Sequence, residues 1–328
     1  MVLRQRVQAR VLLPAFVIVA VLALGAVDVR ANARAVTSKP ASTPSARAAS
    51  PTGVSIGASI AAANPTPVVA APRDMSVLAT SVQQLIASSG ASVGVTVAEL
   101  GGIEPVSWSV SGNEVFTAAS TYKLAALMLE AENIAAGTTD PNSLVCFQAS
   151  DYEYGWFDDY FDGACFTRNE LALRAGTYSD NTAGRMLVRD VGGTGALNAW
   201  AASLGATSSD FLDGDTNTTN TTDLAALWTA EVQGKNGGAA AAAWLYPVLT
   251  NTMRESGVPA GVGGGAVVHK TGEIDLVVND AALVTSGPDG PYVVVVMTDG
   301  LAGEPAWQLI AAISAAAWQF EGSRAAEG

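Results

Sequence analysis

One serine and one lysine lie a single helical turn apart in the apolar stretch "AASTYKLAAL", residues 118–127. A serine hydroxyl is a weak nucleophile that needs a base, and the amine of Lys123 can reach Ser120 from position i+3 on the same helical face, provided that the amine is neutral. Burial among apolar residues and a second nearby cation both lower the pKa of a lysine. The pattern is therefore typical of a nucleophilic serine with a lysine base. Alone, however, the S-x-x-K spacing is common by chance, and a snorkelling surface lysine beside an ordinary serine explains it more simply.

Two further motifs favour the catalytic interpretation of Ser120 and Lys123 over the simpler one. The stretch "TYSDNTAG" contains Ser179-Asp180-Asn181, and "VVHKTGE" contains Lys270-Thr271-Gly272 on a predicted strand. S-x-x-K, S-D-N and K-T-G, in this order, form the signature of class A β-lactamases and penicillin-binding proteins. The chain therefore resembles the serine β-lactamase and penicillin-binding protein superfamily, and most closely the class A β-lactamase-like serine hydrolases. The resemblance extends over about residues 75–320, including "VPAG" before the lysine strand and "VVNDAALV" after it.

The resemblance implies a catalytic role for four side chains. Ser120 is the expected acylated nucleophile, and Lys123 takes its proton either directly or through a water molecule. Ser179 then passes a proton to the leaving nitrogen. Lys270 polarises the Ser179 hydroxyl, and its positive charge favours the neutral form of Lys123.

The resemblance also implies how a substrate is held. Asn181 is expected to hydrogen-bond a substrate amide, and Thr271 to bind the substrate carboxylate together with Lys270. The backbone N–H groups of Ser120 and Glu273 are expected to form the oxyanion hole. Asp180 is interpreted as a structural hydrogen-bonding residue.

Two residues near the K-T-G motif are harder to interpret. His269 precedes the lysine on the same strand, so its side chain points to the opposite face, and we expect a packed neutral imidazole. Glu273 shares a face with Thr271. It either turns outward to water, which we favour, or repels anionic β-lactams and selects a different ligand.

The chain departs from class A β-lactamases after the helix "GALNAWAASLG". Those enzymes have a long loop there, with a glutamate and an asparagine that position the water for deacylation. This chain has only "ATSSDFLDGDTNTTNTTDLAAL", in which Asp213 and Asp215 are the carboxylates that could substitute. A turn role for "LDGD" is the simpler interpretation. The strands after Lys270 also lack the arginine that several β-lactamases use for the substrate carboxylate.

An aromatic and acidic insert, "CFQASDYEYGWFDDYFDGAC", lies between the serine helix and S-D-N. It could form a rim on which a substrate stacks, with Trp156 as the candidate side chain, or a surface loop packed on itself. An acidic metal loop is a weaker third alternative, and we predict no metal and no cofactor. Cys146 and Cys165 are the only cysteines, so an exported chain is expected to join them in a disulfide bond.

The elements that must position these residues follow from periodicity. "MSVLATSVQQLIASSG" has helical spacing and ends at Gly90, and "SVGVTVAEL" with "PVSWSVSG" alternates like a hairpin. The chain from residue 120 to about 257 is mostly helical. Three β-rich runs and a final amphipathic helix follow. We therefore predict an α+β fold of the β-lactamase/transpeptidase type, in which an antiparallel sheet built from both ends is flanked by helices and carries an inserted all-helical subdomain.

The N-terminal sequence predicts export. Arg4, Arg6 and Arg10 precede the apolar run "VLLPAFVIVAVLALGA", and the small-x-small site 31–33 suits a signal peptidase. We assign 1–33 to a signal peptide, with a retained anchor as the alternative, and 34–74 to a disordered Ala/Ser/Pro/Thr linker. The catalytic domain is 75–322, with a sheet part at 75–118 and 265–322 and a helical part at 119–264.

Composition limits the function. With 30 acidic and 17 basic residues, the chain is a poor candidate for binding nucleic acid, and a single histidine makes a zinc hydrolase improbable. We expect a monomer that acts on a β-lactam or a small substrate derived from peptidoglycan.

Two function classes stay open. The first class is a hydrolase that is acylated at Ser120 and then hydrolyses the acyl-enzyme, with slow deacylation because the loop glutamate is missing. The second class is a penicillin-binding protein, a D-alanyl-D-alanine peptidase-like enzyme or a sensor that does not turn over.

Overall fold

A computed structural model describes residues 74–102 and 104–326. The predicted signal segment 1–33 and all but the last residue of the predicted linker 34–74 lie outside the described residues. Within the described part, no helix is long and apolar enough to cross a membrane.

Helices and strands alternate in the predicted order. The helices are α1 (Ser76–Ser89), α2 (Tyr122–Ala135), α3 (Arg168–Gly176), α4 (Asn181–Asp190), α5 (Gly193–Ser203), α6 (Thr221–Val232), α7 (Gly238–Leu245), α8 (Val258–Gly261) and α9 (Gly303–Ala325). The strands are β1 (Ser92–Glu99), β2 (Ser107–Val110), β3 (Phe116–Thr117), β4 (Leu144–Cys146), β5 (Cys165–Thr167), β6 (Thr218–Thr219), β7 (Val267–Ile274), β8 (Val277–Gly287) and β9 (Gly290–Asp299).

The main sheet is antiparallel and is built from both ends of the described chain, as predicted. Its strand order is β2-β1-β9-β8-β7, and each neighbouring pair is antiparallel. Because side chains alternate along a strand, β9 sends Val294 and Val296 to one face and Val293 and Val295 to the other. The sheet is therefore buried on both faces, which explains why "YVVVVM" reads as a continuous apolar run.

Two apolar cores cover the two faces of the sheet. On one face, α1 and α9 pack their apolar stripes against the strands through Leu78, Val82, Ile310 and Ile313. On the other face lies the helical part, whose central helix α2 is buried from Tyr122 to Ala131. The α+β architecture with helices on both sides of an antiparallel sheet is thus confirmed.

The structure adds details that the periodicity did not predict. The helical part also holds the short ladder of β4 with β5, and its strand β6 pairs with β3, which lies just before the helical part. Helix α7 has the sequence "GAAAAAWL", which shows almost no contrast between apolar and polar positions. The last helix ends at Ala325, three residues after the predicted end of the domain.

Candidate active site

Ser120 lies in a 3-10 turn, Ala119–Thr121, that leads directly into α2. Ala119 has a φ of 49°, a left-handed conformation that is strained for a residue with a side chain. Two amide side chains hold this turn. Asn279 of β8 donates to Thr117 O at 2.9 Å, and Asn217 donates to Ala119 O at 2.9 Å. The backbone around the serine is therefore fixed by the sheet on one side and by the loop before α6 on the other.

The Lys123 side chain is fully buried one turn after the serine. Its Nζ lies 2.8 Å from Ser120 Oγ, 2.6 Å from Ser179 O and 2.7 Å from Asn181 Oδ1. Burial, and after it the positive charge of Lys270, hold the pKa of Lys123 well below that of an ordinary lysine. The first two motifs therefore meet at one amine.

Lys270 of β7 reaches the same cluster from the sheet. Its Nζ donates to Ser179 Oγ at 2.9 Å and to Thr271 O at 2.8 Å. Burial lowers the pKa of Lys270 to about 7, although the carboxylate of Asp280 acts in the opposite direction. The structure thus brings the three predicted motifs together around Ser179.

Asp180 is a structural residue, as predicted. It is buried and caps α4, because its Oδ1 accepts from Ala183 N at 2.9 Å. Oδ1 also accepts from the Tyr160 hydroxyl at 2.7 Å, and Oδ2 accepts from Trp156 N at 2.8 Å. Asp180 therefore ties the aromatic insert to the S-D-N motif. The preceding residue, Ser179, has a φ of 58°, a second strained position at the site.

Strand β7 approaches the serine turn very closely at Gly272. A Cβ on this residue would lie 2.7 Å from Ala118 O and 3.0 Å from Ser120 N, so a larger residue would push the strand away. This close approach brings the Gly272 backbone beside the Ser120 backbone N–H. An oxyanion hole made by the N–H groups of Ser120 and Glu273 would need such a close approach.

Two hollows open on either side of Ser120. The strand-side hollow, about 430 Å³, is lined by Trp156, Ser179, Arg254 and Thr271 among others. The loop-side hollow, about 330 Å³, is lined by residues that include Tyr122, Glu153, Arg185 and Asp215. Ser120, Asn181 and Glu273 line both. All of the predicted catalytic and substrate-binding residues except buried Lys123 and Lys270 thus line a cleft centred on the serine.

The insert is anchored at its base and exposed at its tip. Cys146 and Cys165 form the predicted disulfide, across the β4 and β5 ladder. Arg174 of α3 stacks on Phe157 and pairs with Asp159 at 2.6 Å. Trp156, in contrast, is 64% exposed and faces the strand-side hollow. The insert is therefore a self-packed loop that also presents one aromatic ring to the cleft.

Two acidic residues on the first half of the insert pair with arginines of α4. Asp151 contacts Arg189 at 2.9 Å, and Glu153 contacts Arg185. Within the described residues, the group of carboxylates close enough to hold a metal lies elsewhere, at Glu99, Asp289 and Glu321. Ion pairs with arginines therefore hold the Asp151 and Glu153 side chains in place.

The expectation of a neutral His269 is wrong. The side chain is buried, as predicted, but its Nδ1 lies 2.9 Å from Asp280 Oδ1 and its Nε2 lies 3.1 Å from Glu255 Oε1. Burial alone would lower the pKa of His269, but the two carboxylates outweigh it and raise the pKa to about 9. His269 is therefore an imidazolium at neutral pH and stabilises the back of β7.

Sequence reasoning missed three charged residues of the cleft. Arg254, from the loop before α8, donates to Glu273 Oε2 at 3.3 Å, so Glu273 is exposed but paired. Glu153 and Arg185 line the loop-side hollow. Arg185 follows Asn181 by four residues, so a helical face containing both could have indicated it. Asp213 forms the predicted turn by accepting from Thr216 N at 3.0 Å, whereas Asp215 lines the loop-side hollow.

Residues 77–320 match the family model described as the beta-lactamase enzyme family. The chain belongs to this family. Among solved structures, it is similar to PBP-A, at 25% identity and a TM-score of 0.68 over 75% of this chain and 95% of that one. It is equally similar to a beta-lactamase from Sphaerobacter thermophilus, at 26% identity and a TM-score of 0.68 over 76% and 99% of the two chains. A comparison with curated proteins finds no match.

A third similar structure is a point mutant of PBP-A in an acyl-enzyme complex with penicillin G, at 25% identity and a TM-score of 0.68 over 75% of this chain and 96% of that one. As a beta-lactamase family member, the protein belongs to a hydrolase family, and its S-x-x-K, S-D-N and K-T-G residues meet in one cleft.

Proposed function

We propose that the protein is an exported serine hydrolase, acylated at Ser120 by β-lactams or related amides and esters, which it hydrolyses with slow deacylation. The observation that carries this proposal is the environment of the Lys123 amine. A neutral amine has two N–H groups and one lone pair. Ser179 O and Asn181 Oδ1, at 2.6 and 2.7 Å, take the two N–H groups. The lone pair is then directed at the Ser120 hydroxyl, at 2.8 Å.

The proton route follows from these contacts. As the Ser120 oxygen attacks the carbonyl carbon, its proton moves to Lys123 Nζ. Ser179 Oγ lies 3.4 Å from Lys123 Nζ and 2.9 Å from Lys270 Nζ, so it is placed to give a proton to the leaving nitrogen and to recover one from Lys123. The backbone N–H groups of Ser120 and Glu273 stabilise the developing oxyanion.

Charge around the strand-side hollow supports an anionic substrate group. Lys270 donates to Thr271 O, Arg254 lines the same hollow as Thr271, and the Arg254 contact with Glu273 offsets the negative charge of that glutamate. In the mechanism we propose, Thr271 and Lys270 bind the substrate carboxylate, Asn181 binds an amide, and Trp156 covers the ring.

Slow release is supported by the loop before α6, which contains no glutamate between residues 204 and 220. A penicillin-binding protein, a D-alanyl-D-alanine peptidase-like enzyme or a sensor that stays acylated is the second candidate, because the same missing group and the similarity to PBP-A favour it. Export is supported by the disulfide and by the N-terminal sequence.

A fluorescent penicillin tests the nucleophile. The wild-type protein should be labelled, and Ser120→Ala or Lys123→Ala should abolish labelling, because one removes the attacking oxygen and the other removes its base. Ser88→Ala, at an exposed position of α1, is the matched control and should leave labelling unchanged. Labelling that persists in Ser120→Ala would refute the proposal.

A further inference from the structure

The loop-side hollow contains a carboxylate that the resemblance does not assign. Glu153 belongs to the aromatic insert, yet its side chain lines the same hollow as Ser120. The insert fixes its position in two ways. The Glu153 N–H donates to Thr182 Oγ1 at 3.1 Å, and the Thr182 hydroxyl donates to Glu153 O at 2.8 Å. Arg185, one turn along the same helix α4, donates from Nε to Glu153 Oε2.

The Glu153 carboxylate is accessible to water while it is held in place. About two fifths of its side chain is exposed, and the same is true of Arg185. The negative charge of Glu153 also acts on Lys123. It raises the pKa of that lysine, against the larger effects of burial and of the Lys270 charge, which both lower it. Glu153 is therefore open to solvent, and its charge is felt at the catalytic amine.

A buried hydroxyl in the same hollow has no partner. Tyr122 is 4% exposed, and within the described residues its hydroxyl has no hydrogen-bond partner. Buried hydroxyls usually bind a protein group or an ordered water molecule. The Tyr122 hydroxyl lies against Gly184, where a Cβ would come within 2.7 Å of it. The hollow thus offers a water molecule a hydroxyl on one side and a carboxylate on the other.

We propose that Glu153 is the general base that activates water for hydrolysis of the Ser120 ester, and that Arg185 positions it. The proposal rests on the proposed function, since it needs an acyl-serine. The water oxygen bonds to the ester carbonyl carbon as one water proton passes to the Glu153 carboxylate and the C=O π pair moves onto the carbonyl oxygen. The C=O double bond then re-forms as the bond from that carbon to Ser120 Oγ breaks. The proton on Glu153 returns to Oγ through the Lys123 amine, so both groups end as they began and the product leaves as a carboxylic acid.

This assignment separates the two halves of the reaction. Lys123 serves acylation, and Glu153 serves release. The carboxylate comes from the insert rather than from the loop before α6, and an exposed ion pair holds it. Release is therefore slower than acylation but is not absent.

Intact-mass measurement after rapid mixing with penicillin G tests the assignment through Glu153→Gln, which keeps an acceptor for Arg185. The variant should acylate within about threefold of wild type and release the adduct about 10²- to 10⁴-fold more slowly. Asp215→Asn, on the same hollow, is the matched control and should release within about threefold of wild type. Hydroxylamine, a nucleophile that needs no base, should free the Glu153→Gln adduct as fast as the wild-type adduct.

Each other outcome overturns the assignment. Release from Glu153→Gln at the wild-type rate, slower release in Asp215→Asn, or an adduct that hydroxylamine does not free would each refute Glu153 as the base. Slow acylation of Glu153→Gln would place the residue in the first half-reaction instead. A wild-type protein that forms no adduct refutes the proposed function as well, so the two failures are distinguishable.

Discussion

Replacing Lys123 by arginine separates its charge from its basicity. Both side chains can donate to Ser179 O and Asn181 Oδ1, but only lysine is neutral often enough to accept the Ser120 proton. An ordinary lysine with a pKa near 10.4 is neutral in about 1 molecule in 2,500 at pH 7, and an arginine in fewer than about 1 in 10⁵. Burial and the charge of Lys270 lower the pKa of Lys123 and enlarge this neutral fraction.

Lys123→Arg should therefore slow acylation by a fluorescent penicillin about 10²- to 10⁴-fold, the usual contribution of a general base. Lys235→Arg, at an exposed position after α6, is the matched control and should leave the rate unchanged. Thermal unfolding of each variant shows whether it is folded.

The pH dependence of acylation by the wild-type protein gives a second test of the lowered pKa of Lys123. Because burial and the charge of Lys270 lower the pKa of Lys123, the acylation rate should rise between pH 7.5 and 9.5 by much less than it would with an ordinary lysine. Loss of the proton from Lys270, whose pKa is about 7, can only reduce substrate binding in this range. A rate that rises about hundredfold over these two pH units is the behaviour of an ordinary lysine. That rise, or a Lys123→Arg variant that acylates within tenfold of wild type, would refute the reasoning.

Two further predictions concern stability. His269 has a pKa of about 9 in the folded protein and about 6.5 when unfolded, so its imidazolium contributes about 3 kcal/mol that is fully present below pH 6.5 and is lost as the pH rises through 9. The difference in urea unfolding free energy between wild type and His269→Gln should therefore shrink by about that amount from pH 6 to pH 9.5, and a constant difference would contradict the charged histidine. The disulfide closes a loop of about twenty residues, so the Cys146→Ser/Cys165→Ser double variant should lose about 3 kcal/mol. Free-thiol titration of the unreduced, denatured wild type should find no thiol, and two reactive thiols would refute the bond.

The sequence predicted the parts of the site that short motifs encode. Helix geometry alone places Ser120 and Lys123 of the S-x-x-K motif one turn apart. That Ser179 and Lys270 join them in one site was implied by the family resemblance, which rests on the order of the three motifs. Three β-rich runs separated by turn residues predicted the strands β7, β8 and β9, and an even cysteine count predicted the bond between Cys146 and Cys165.

Other features depend on tertiary contacts that no local pattern encodes. The charge of His269 is set by Glu255 and Asp280, which lie on a loop and on the neighbouring strand. Glu153 lines the same hollow as Ser120 because the insert folds back onto α4, through bonds to Thr182 and Arg185. The sequence showed the missing loop glutamate but not where another carboxylate would be placed.

Arg254 illustrates the same limit. Sequence reasoning looked for an arginine on the strands after Lys270, where several β-lactamases place one. The structure instead brings Arg254 to Glu273 from the loop before α8. Because a loop can approach a cleft from any side, its charged residues could not be assigned from spacing alone.

Intact-mass spectrometry over time, with the wild-type protein and penicillin G, tests the central claim most directly. The account predicts one adduct of the full penicillin mass, located on Ser120 by peptide mapping, that forms faster than it decays and leaves unmodified protein behind. Rapid consumption of penicillin with no detectable adduct, or an adduct on any residue other than Ser120, would contradict the account.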